Sequence, residues 1–465
     1  MSFETVFYII EWIIRLGALA VVPLRRTPAA SRGWLLLIFF LPAPGLLLFL
    51  AIGRPRFPAW RVARFRTLRP FFDAIATRLE TAAPSRPHDA EAITTLAQRL
   101  GRLPAVAGNH VELIDDYDAV IDRLVTDIDA ARHHVRLLVY IFANDATGGR
   151  VVAALGRAVA RGVTCQVMID PVGSYRWIRK TTRALRVVGV EVREALPFRI
   201  LRGRTRRDMR NHRKLFVIDG TIAFAGSQNI VARDFRPGVV NRELVARVTG
   251  PVVAEMEAVV RADWYVETET MPVDDLVIPP VTGTACAQLL PSGPEYPLEG
   301  FETLLVWQLH QAREQVTIAT PYLIPDEDVL GAMRTAVARG VAIDLIVSAV
   351  VDQPLVNLAQ CSYYDDLLRS GVRIHLFRDE LLHAKNVSID RSLAIIGSSN
   401  VDLRSFQLND EVSLLLFDPD SLASVTALQL GYLEHSDRLD LDQWRRRPAP
   451  RKLLENIACL VGPLL

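Results

Sequence analysis

Two stretches of the chain, "NHRKLFVIDGTIAFAGSQN" (Asn211 to Asn229) and "LHAKNVSIDRSLAIIGSSN" (Leu382 to Asn400), carry the same polar pattern. Each holds a His, a Lys two residues on, an Asp five beyond that, and a Gly-Ser-x-Asn that opens fourteen residues after the His. The offset between copies is constant: His383 follows His212, and Gly397 follows Gly226, by 171 positions. Between these landmarks the residues are those of buried strands. A polar pattern written twice into core strands calls for a chemical reason.

The likeness spreads outward from the motifs. "VRLLVYIF" (Val135 to Phe142) and "VTIATPYLI" (Val316 to Ile324) are β-rich apolar runs. Each leads into a helical pattern that ends in the identical hexapeptide "AVARGV", at Ala158–Val163 and Ala336–Val341. A second apolar run follows ("TCQVMID" or "AIDLIVS"), then a helix, then "GVEVREA" or "GVRIHLF". Strand, helix, strand, helix, strand predicts an α/β layered domain with helices over a largely parallel sheet. Units of this length are too long for a solenoid. The chain is a duplicated domain, and its two motifs are expected to meet at a pseudo-two-fold interface. A Pro-rich stretch, "TETMPVDDLVIPPVTG" (Thr268 to Gly283), separates the copies.

Composition sharpens the motif. The 465 residues carry 54 basic and 52 acidic groups, so charge balance gives a nucleic-acid partner no support. Only four of the basic residues are Lys (Lys180, Lys214, Lys385 and Lys452), yet two of these occupy the matching motif positions. An ammonium is a compact point charge where a guanidinium is a wide fork, so both motifs select the compact cation. The four cysteines lie far apart without a Cys-x-x-Cys pair, which fits small buried residues and neither a disulfide framework nor a zinc site.

The first fifty-six residues read differently. "WLLLIFFLPAPGLLLFLAI" (Trp34 to Ile52) is free of charge and, as one helix, would span the roughly 30 Å of a bilayer core. Val6 to Val22 is apolar apart from Glu11 and Arg15, whose i, i+4 spacing lets them neutralise each other on one helical face. The pair predicts a two-helix transmembrane hairpin. Three arginines in its loop (Arg25, Arg26, Arg32) against six after its exit (Arg54, Arg56, Arg61, Arg64, Arg66, Arg69) place the rest of the chain in the cytoplasm. Phe65, Leu68, Phe72, Ile75 and Leu79 then recur at helical spacing, on a helix that lies on headgroups or packs on the body, and Pro70 weakens both readings. The tail "RKLLENIACLVGPLL" could pack on a domain or touch the membrane. The predicted organisation is a membrane hairpin (1–56), a membrane-proximal linker (57–105), a first α/β domain (106–267), a linker (268–283), a second α/β domain (284–446) and a tail (447–465).

Along a strand, His212 and Lys214 face one way, as do Ser227 and Asn229. Asp219 has an odd offset from the His and lies in "IDGT", a hairpin turn, and Asp390 in "IDRS" matches it. Both are read as shaping the turn or forming a structural ion pair. Doubled across a two-fold, each set gives two imidazoles, two ammoniums, two hydroxyls and two amides around one pocket. The donors suit a phosphate, and the imidazoles supply a nucleophile and a proton donor. Each copy also has Asn-x-Glu downstream (Asn241 and Glu243, Asn409 and Glu411). Such a carboxylate fixes an imidazole tautomer and stabilises its charged form.

Both motifs match the HxKxxxxD…GSxN signature of the phospholipase D superfamily. Nearly all of the chain further resembles the bacterial cardiolipin synthases of that superfamily, through the leading apolar helices, "RRDMRNHRK", "TPYLIPDE" (Thr320 to Glu327), "LHAK", "GSSNVDLRSFQLNDEV" (Gly397 to Val412) and the terminal "PLL". The resemblance implies two phospholipase D-like α/β/α sandwich domains sharing one site, with neither metal nor cofactor. It implies His212 as nucleophile, forming a phosphohistidine, and His383 as general acid, with the order open by symmetry. Lys214, Lys385, Asp219 and Asp390 belong to the same catalytic signature. Ser227, Asn229, Ser398 and Asn400 would hold the phosphate oxygens, and Glu243 and Glu411 would orient the imidazoles. The implied reaction joins two phosphatidylglycerol molecules into cardiolipin and releases glycerol, on anionic phospholipids of the cell membrane and without nucleic acid.

The copies depart after the first Gly-Ser-x-Asn, where "IVARDFRP" stands opposite "VDLRSF", so Asp402, Arg404 and Ser405 have roles in one half alone. A basic cluster (Arg199, Arg202, Arg204, Arg206, Arg207, Arg210) is placed to steer anionic headgroups. Trp177 and Ile178 are expected on a loop that dips into the interface. Two rivals stand beside the transferase: a hydrolytic phospholipase D or nuclease, and a non-catalytic lipid-binding anchor, which would need positive charge but no paired imidazoles.

Overall fold

The computed structural model describes residues 2–26, 28–53, 57–83, 90–197 and 208–460. They fall into two compact units, one holding the described residues up to Pro58 with Asp208 and Met209, the other holding the remainder. Of the basic cluster before the first motif only Arg210 is described; the other five arginines, like Arg54, Arg56 and the terminal "PLL", lie outside the described residues.

In the smaller unit α1 (Phe3–Val21) is followed by α2 (Pro28–Phe40) and α3 (Pro42–Ile52). The charge-free stretch is therefore two helices and not one. Leu41 leaves the helical region (φ −130°, ψ 75°), and Pro42, which has no N–H to continue the ladder, starts the next helix. The two then fold onto each other so tightly that a Cβ on Gly45 would stand 2.9 Å from the Cα of Ile38. No helix among the described residues is long and apolar enough to cross a membrane. Glu11 and Arg15 do meet, at 3.1 Å. Val22, Ile38 and Phe49 form a small centre, while Phe3, Phe7, Ile13, Leu16, Phe40, Leu47 and Leu50 face outward.

The larger unit is built on one fifteen-stranded mixed sheet. The first repeat supplies β1 (Val106–Ile114), β2 (His134–Val139), β3 (Thr164–Ile169), β4 (Glu191–Glu194), β5 (Leu215–Ile218), β6 (Ile222–Gly226), β7 (Asn241–Arg242) and β8 (Val245–Thr249). The second supplies β9 (Ala285–Ser292), β10 (Gln315–Ala319), β11 (Leu323–Ile324), β12 (Ala342–Ser348), β13 (Arg373–Phe377), β14 (Leu381–Leu382), β15 (Asn386–Ile389), β16 (Leu393–Gly397), β17 (Val401–Asp402), β18 (Glu411–Leu416) and β19 (Ser436–Arg438). The main sheet runs β19-β13-β12-β10-β15-β16-β18-β9-β1-β8-β6-β5-β2-β3-β4. Its seam is the antiparallel pair β1–β9, and the order on one side mirrors that on the other. The largely parallel sheet expected from the strand-helix alternation is confined to β2-β3-β4 and β10-β12-β13. The motif strands are hairpins, and a hairpin can only pair antiparallel.

Helices cover both faces. Val253–Thr268 and Pro419–Glu434 share one apolar layer that runs beneath both repeats, and Phe65, Leu68, Phe72, Ile75 and Leu79 are buried in it. Those five residues thus pack on the body, and Pro70 opens the helix Arg69–Ala82 instead of breaking it. On the opposite face each repeat has its own core. The tail forms a helix, Ala449–Leu460, whose Ala458 packs with Val356 and Ala359 of the helix Pro354–Ser370.

The twice-written hexapeptide is a helix stop. Gly162 (φ +88°) and Gly340 (φ +93°) take the left-handed conformation that ends each helix. The following Val N–H then reaches back to Ala158 and Ala336 carbonyls at 3.1 Å. The motif glycines have another cause. A Cβ on Gly226 would lie 2.3 Å from the Leu244 carbonyl oxygen, and one on Gly397 2.2 Å from that of Val412. Gly397→Ala must therefore part β16 from β18, and a loss of at least about 2 kcal/mol is expected, read as a lowered denaturant midpoint. An unchanged midpoint would show that the strands yield freely there.

Candidate active site

The two histidines stand on short parallel ribbons that cross between repeats. β14 pairs with β7, and the His383 N–H donates to the Arg242 carbonyl at 2.8 Å. In the same way Asn211 bridges to Asp410, and the His212 N–H donates to the Asp410 carbonyl at 2.9 Å. Each histidine is thus carried by one repeat and zipped to the Asn-x-Glu segment of the other. The side chains follow. His212 Nδ1 lies 2.9 and 3.1 Å from the two carboxylate oxygens of Glu411, and His383 Nδ1 lies 2.8 Å from Glu243. For the two motif histidines, neither repeat supplies both the imidazole and its carboxylate.

Both rings line one cleft that opens to solvent. Burial lowers each imidazole to about 4, against the opposing pull of its carboxylate. For the glutamates burial pushes upward, but the charge and hydrogen bond of His212 and His383 outweigh it and hold Glu411 and Glu243 below the usual range. At neutral pH the glutamates are ionised and the rings neutral. The ring proton then sits on Nδ1 facing the carboxylate, which leaves Nε2 with its lone pair for the cleft.

The lysines stand one layer behind. Lys214 Nζ donates to the His212 carbonyl at 2.7 Å, and Lys385 Nζ to that of His383 at 2.5 Å. Both ammoniums are buried and outside the cleft lining, and Lys385 Nζ also stands 3.1 Å from His383 Nδ1. Burial lowers Lys214 to about 7 and Lys385 to about 8. Asn229 lines the cleft and accepts from the Ile141 N–H at 3.0 Å, so its amide donors stay available, whereas Asn400 gives an N–H to Asp402 at 3.0 Å.

Four further residues of the signature lie outside the cleft lining. The sequence gives Ser227 and Ser398 to the phosphate, but both are fully buried outside the cleft lining. Ser398 Oγ donates to Glu411 at 2.5 Å, while Ser227 Oγ donates to the Leu244 carbonyl at 3.2 Å and accepts the Leu244 N–H at 3.0 Å. The hydroxyl of the second repeat thus holds the carboxylate that holds His212. Asp219 and Asp390, carried with the catalytic signature, are also outside the cleft. Asp219 (φ +51°) accepts from the N–H groups of Arg132, His133 and His134 at 2.7–2.9 Å. Asp390 (φ +49°) accepts from those of Arg313, Glu314 and Gln315. Each turn carboxylate staples its motif hairpin to the start of the neighbouring strand, in the left-handed conformation that Asp tolerates. The loop expected to dip into the interface has its apolar residues turned in: Trp177 packs edge-on against Phe235 at 6.2 Å, and Tyr175 and Arg176 are exposed instead.

Sequence reasoning missed two rings. Tyr140 packs edge-on to His212 at 4.7 Å, and Tyr322 to His383 at 6.3 Å. Both sit just after a core strand, where an aromatic residue reads as β propensity. Tyr322 also donates its hydroxyl to Asp352 at 2.7 Å, and Asp352 pairs with Arg236 at the mouth of the cleft.

Comparison with known proteins follows this geometry. The family model described as cardiolipin synthase, phospholipase D-like domain, matches residues 124–264 and 305–428. Cardiolipin synthase A of Erwinia tasmaniensis is 32% identical over 99% of this chain and 100% of its own length, and that of Serratia proteamaculans 33% over the same shares. Among solved structures, phosphatidylserine synthase of Haemophilus influenzae superposes over 80% of this chain and 99% of its own (TM-score 0.58, 17% identity). Polyphosphate kinase of Porphyromonas gingivalis does so over 77% and 54% (TM-score 0.51, 16% identity), and both show the duplicated fold. The fold and the relatives together define a phosphatidyl-transferring enzyme of the phospholipase D superfamily. Within that superfamily the chain belongs to the cardiolipin synthases, enzymes that work on phospholipids.

Proposed function

We propose that the enzyme moves a phosphatidyl group from one phosphatidylglycerol to a second, through a phosphohistidine at His212. The observation that carries this reading is the pair of imidazoles on one cleft, each with Nδ1 held by a carboxylate of the opposite repeat. His212 Nε2 attacks phosphorus, the bond to the glycerol oxygen breaks, and His383 gives that oxygen its proton. The hydroxyl of the second phosphatidylglycerol then returns a proton to His383, attacks phosphorus and releases His212. The bidentate contact of Glu411 stabilises the cationic phosphohistidine, and the arriving phosphodiester anion, added to Glu243, favours the imidazolium of His383. Lys214, Lys385 and Asn229 bind the phosphate oxygens.

A pH profile follows with a definite sign. The lysines attract phosphate only when charged, and burial lowers them to about 7 and about 8. In kcat/KM, which reports the free enzyme, activity is expected to fall as pH rises through this range, with an acid limb near about 4 where the nucleophile His212 takes up a proton. In kcat the alkaline limb moves up, because bound phosphate stabilises the ammoniums. A kcat/KM that stays flat to pH 10 would remove the lysines from phosphate binding.

The outward apolar side chains of α1, α2 and α3 support a membrane-embedded first unit, since exposed apolar surface of this extent is not left in water. The arginine count supports catalytic domains on the cytoplasmic side. The test of the reaction is detergent-solubilised protein with phosphatidylglycerol alone, its products read by mass spectrometry. Cardiolipin with equimolar glycerol is expected; phosphatidic acid instead would make water the acceptor and the enzyme a hydrolase.

A further inference from the structure

The reaction proposed above brings two phosphodiesters into one cleft, and the doubled motif is built for one of them. The attacking hydroxyl of the second lipid is separated from that lipid's own phosphate by a single glycerol. Two anions this close, in a partly buried site, repel strongly unless further cations meet the second. With both imidazoles neutral in the free enzyme, the cations among the described residues lining the cleft are Arg236 and Arg404.

Both arise where the repeats stop matching. Arg404 stands four residues after Asn400, and the residue four after Asn229 is Arg233. The two-fold would make them equivalent, and the structure does not. Arg233 is turned onto Glu380, a nitrogen 2.6 Å from the carboxylate, and does not line the cleft. Arg404 does line it, beside Asp402, which caps the helix Leu403–Gln407. From the first repeat Arg236 reaches the same cleft, over the ring of Phe235 and paired through one nitrogen to Asp352. A guanidinium has five N–H donors, so this ion pair leaves others for a ligand. Ile141, Val231, Ile324 and Val356 complete the wall between them with apolar surface.

Resting on the transfer reading, we infer that Arg404 and Arg236 form a second phosphate subsite, which binds the phosphodiester of the acceptor lipid and presents its terminal hydroxyl to His383. The subsite gives the enzyme its preference for a phosphorylated alcohol over a free one. It also explains why the second Gly-Ser-x-Asn continues as "VDLRSF" and the first as "IVARDFRP".

The experiment compares two acceptors on the same enzyme. Labelled glycerol exchanging into phosphatidylglycerol uses the donor site and an acceptor without phosphate; cardiolipin formation uses the donor site and an acceptor with one. In Arg404→Gln and Arg236→Gln the ratio of cardiolipin formation to glycerol exchange is expected to fall about tenfold or more, the worth of a lost charge-assisted contact. Arg404→Lys is expected to lose less. Exchange itself reports that the variants are folded and load the donor. Parallel loss of both rates would assign the arginines to the donor phosphate or to the fold, and an unchanged ratio would leave the acceptor phosphate unheld; either overturns the subsite. Wild-type enzyme that exchanges glycerol but makes no cardiolipin overturns the transfer reading itself, and the subsite falls with it.

Discussion

His212→Asn is expected to reduce cardiolipin formation by about 10⁴-fold or more, since no nucleophile remains to take the phosphatidyl group. The amide can still meet Glu411, so the loss falls on chemistry and leaves the fold intact. His383→Asn should be comparably slow in turnover for a different reason: the glycerol oxygen leaves without a proton, and the second alcohol is not deprotonated. Mass spectrometry of protein quenched without acid separates the two. A phosphatidyl adduct is expected on His212 in the His383 variant and nowhere in the His212 variant. An adduct on His383 in the His212 variant would reverse the order of roles, and percent-level turnover in either would remove the two-histidine scheme.

Arg213→Met should be the most destabilising change beside the site. The guanidinium is fully buried, donates to both oxygens of Asp263 at 2.5 and 2.6 Å, and also reaches the carbonyls of Glu411 and Ser292 at 3.0 Å. Its removal leaves Asp263 buried without its main countercharge, at a cost of about 3–5 kcal/mol. A matching drop in urea midpoint is expected, with part recovered in the double variant Arg213→Met, Asp263→Asn. If the double variant were no more stable than the single one, the orphaned carboxylate would not be the cause. The second repeat has Ala384 at this place, equally buried and without such a pair, so "HRK" and "HAK" differ in a structural ion pair.

What could be read from sequence was what repeats or what a local conformation demands. The doubled His-x-Lys showed both histidines, the Asp turns read as structural, and the paired Glu11 and Arg15 met as expected. What stayed hidden depends on tertiary crossing. Period-two alternation says that Glu411 and His212 face the same core, but not that each glutamate serves the other repeat's histidine. Ser227 and Ser398 share the parity of the asparagines, yet both hydroxyls are turned inward, Ser398 to Glu411 and Ser227 to the Leu244 backbone. Arg236 and Asp352 lie far apart in the chain and carry no pattern. The charge-free stretch shows the opposite case: its length and lack of charge suggest one helix, while Pro42, visible in it, starts a second.

The crossed glutamates bear on how the protein is made. The ribosome finishes the first repeat while Glu411, the partner of His212, is still more than a hundred codons away, and the β1 edge waits for β9. Until then the emerging chain carries an open strand edge, a target for chaperones and a hazard for aggregation. It also carries His212 without the carboxylate that orients it. On the proposed scheme, activity switches on only with the last strands of the second repeat, so a truncated translation product is expected to be inactive toward lipid.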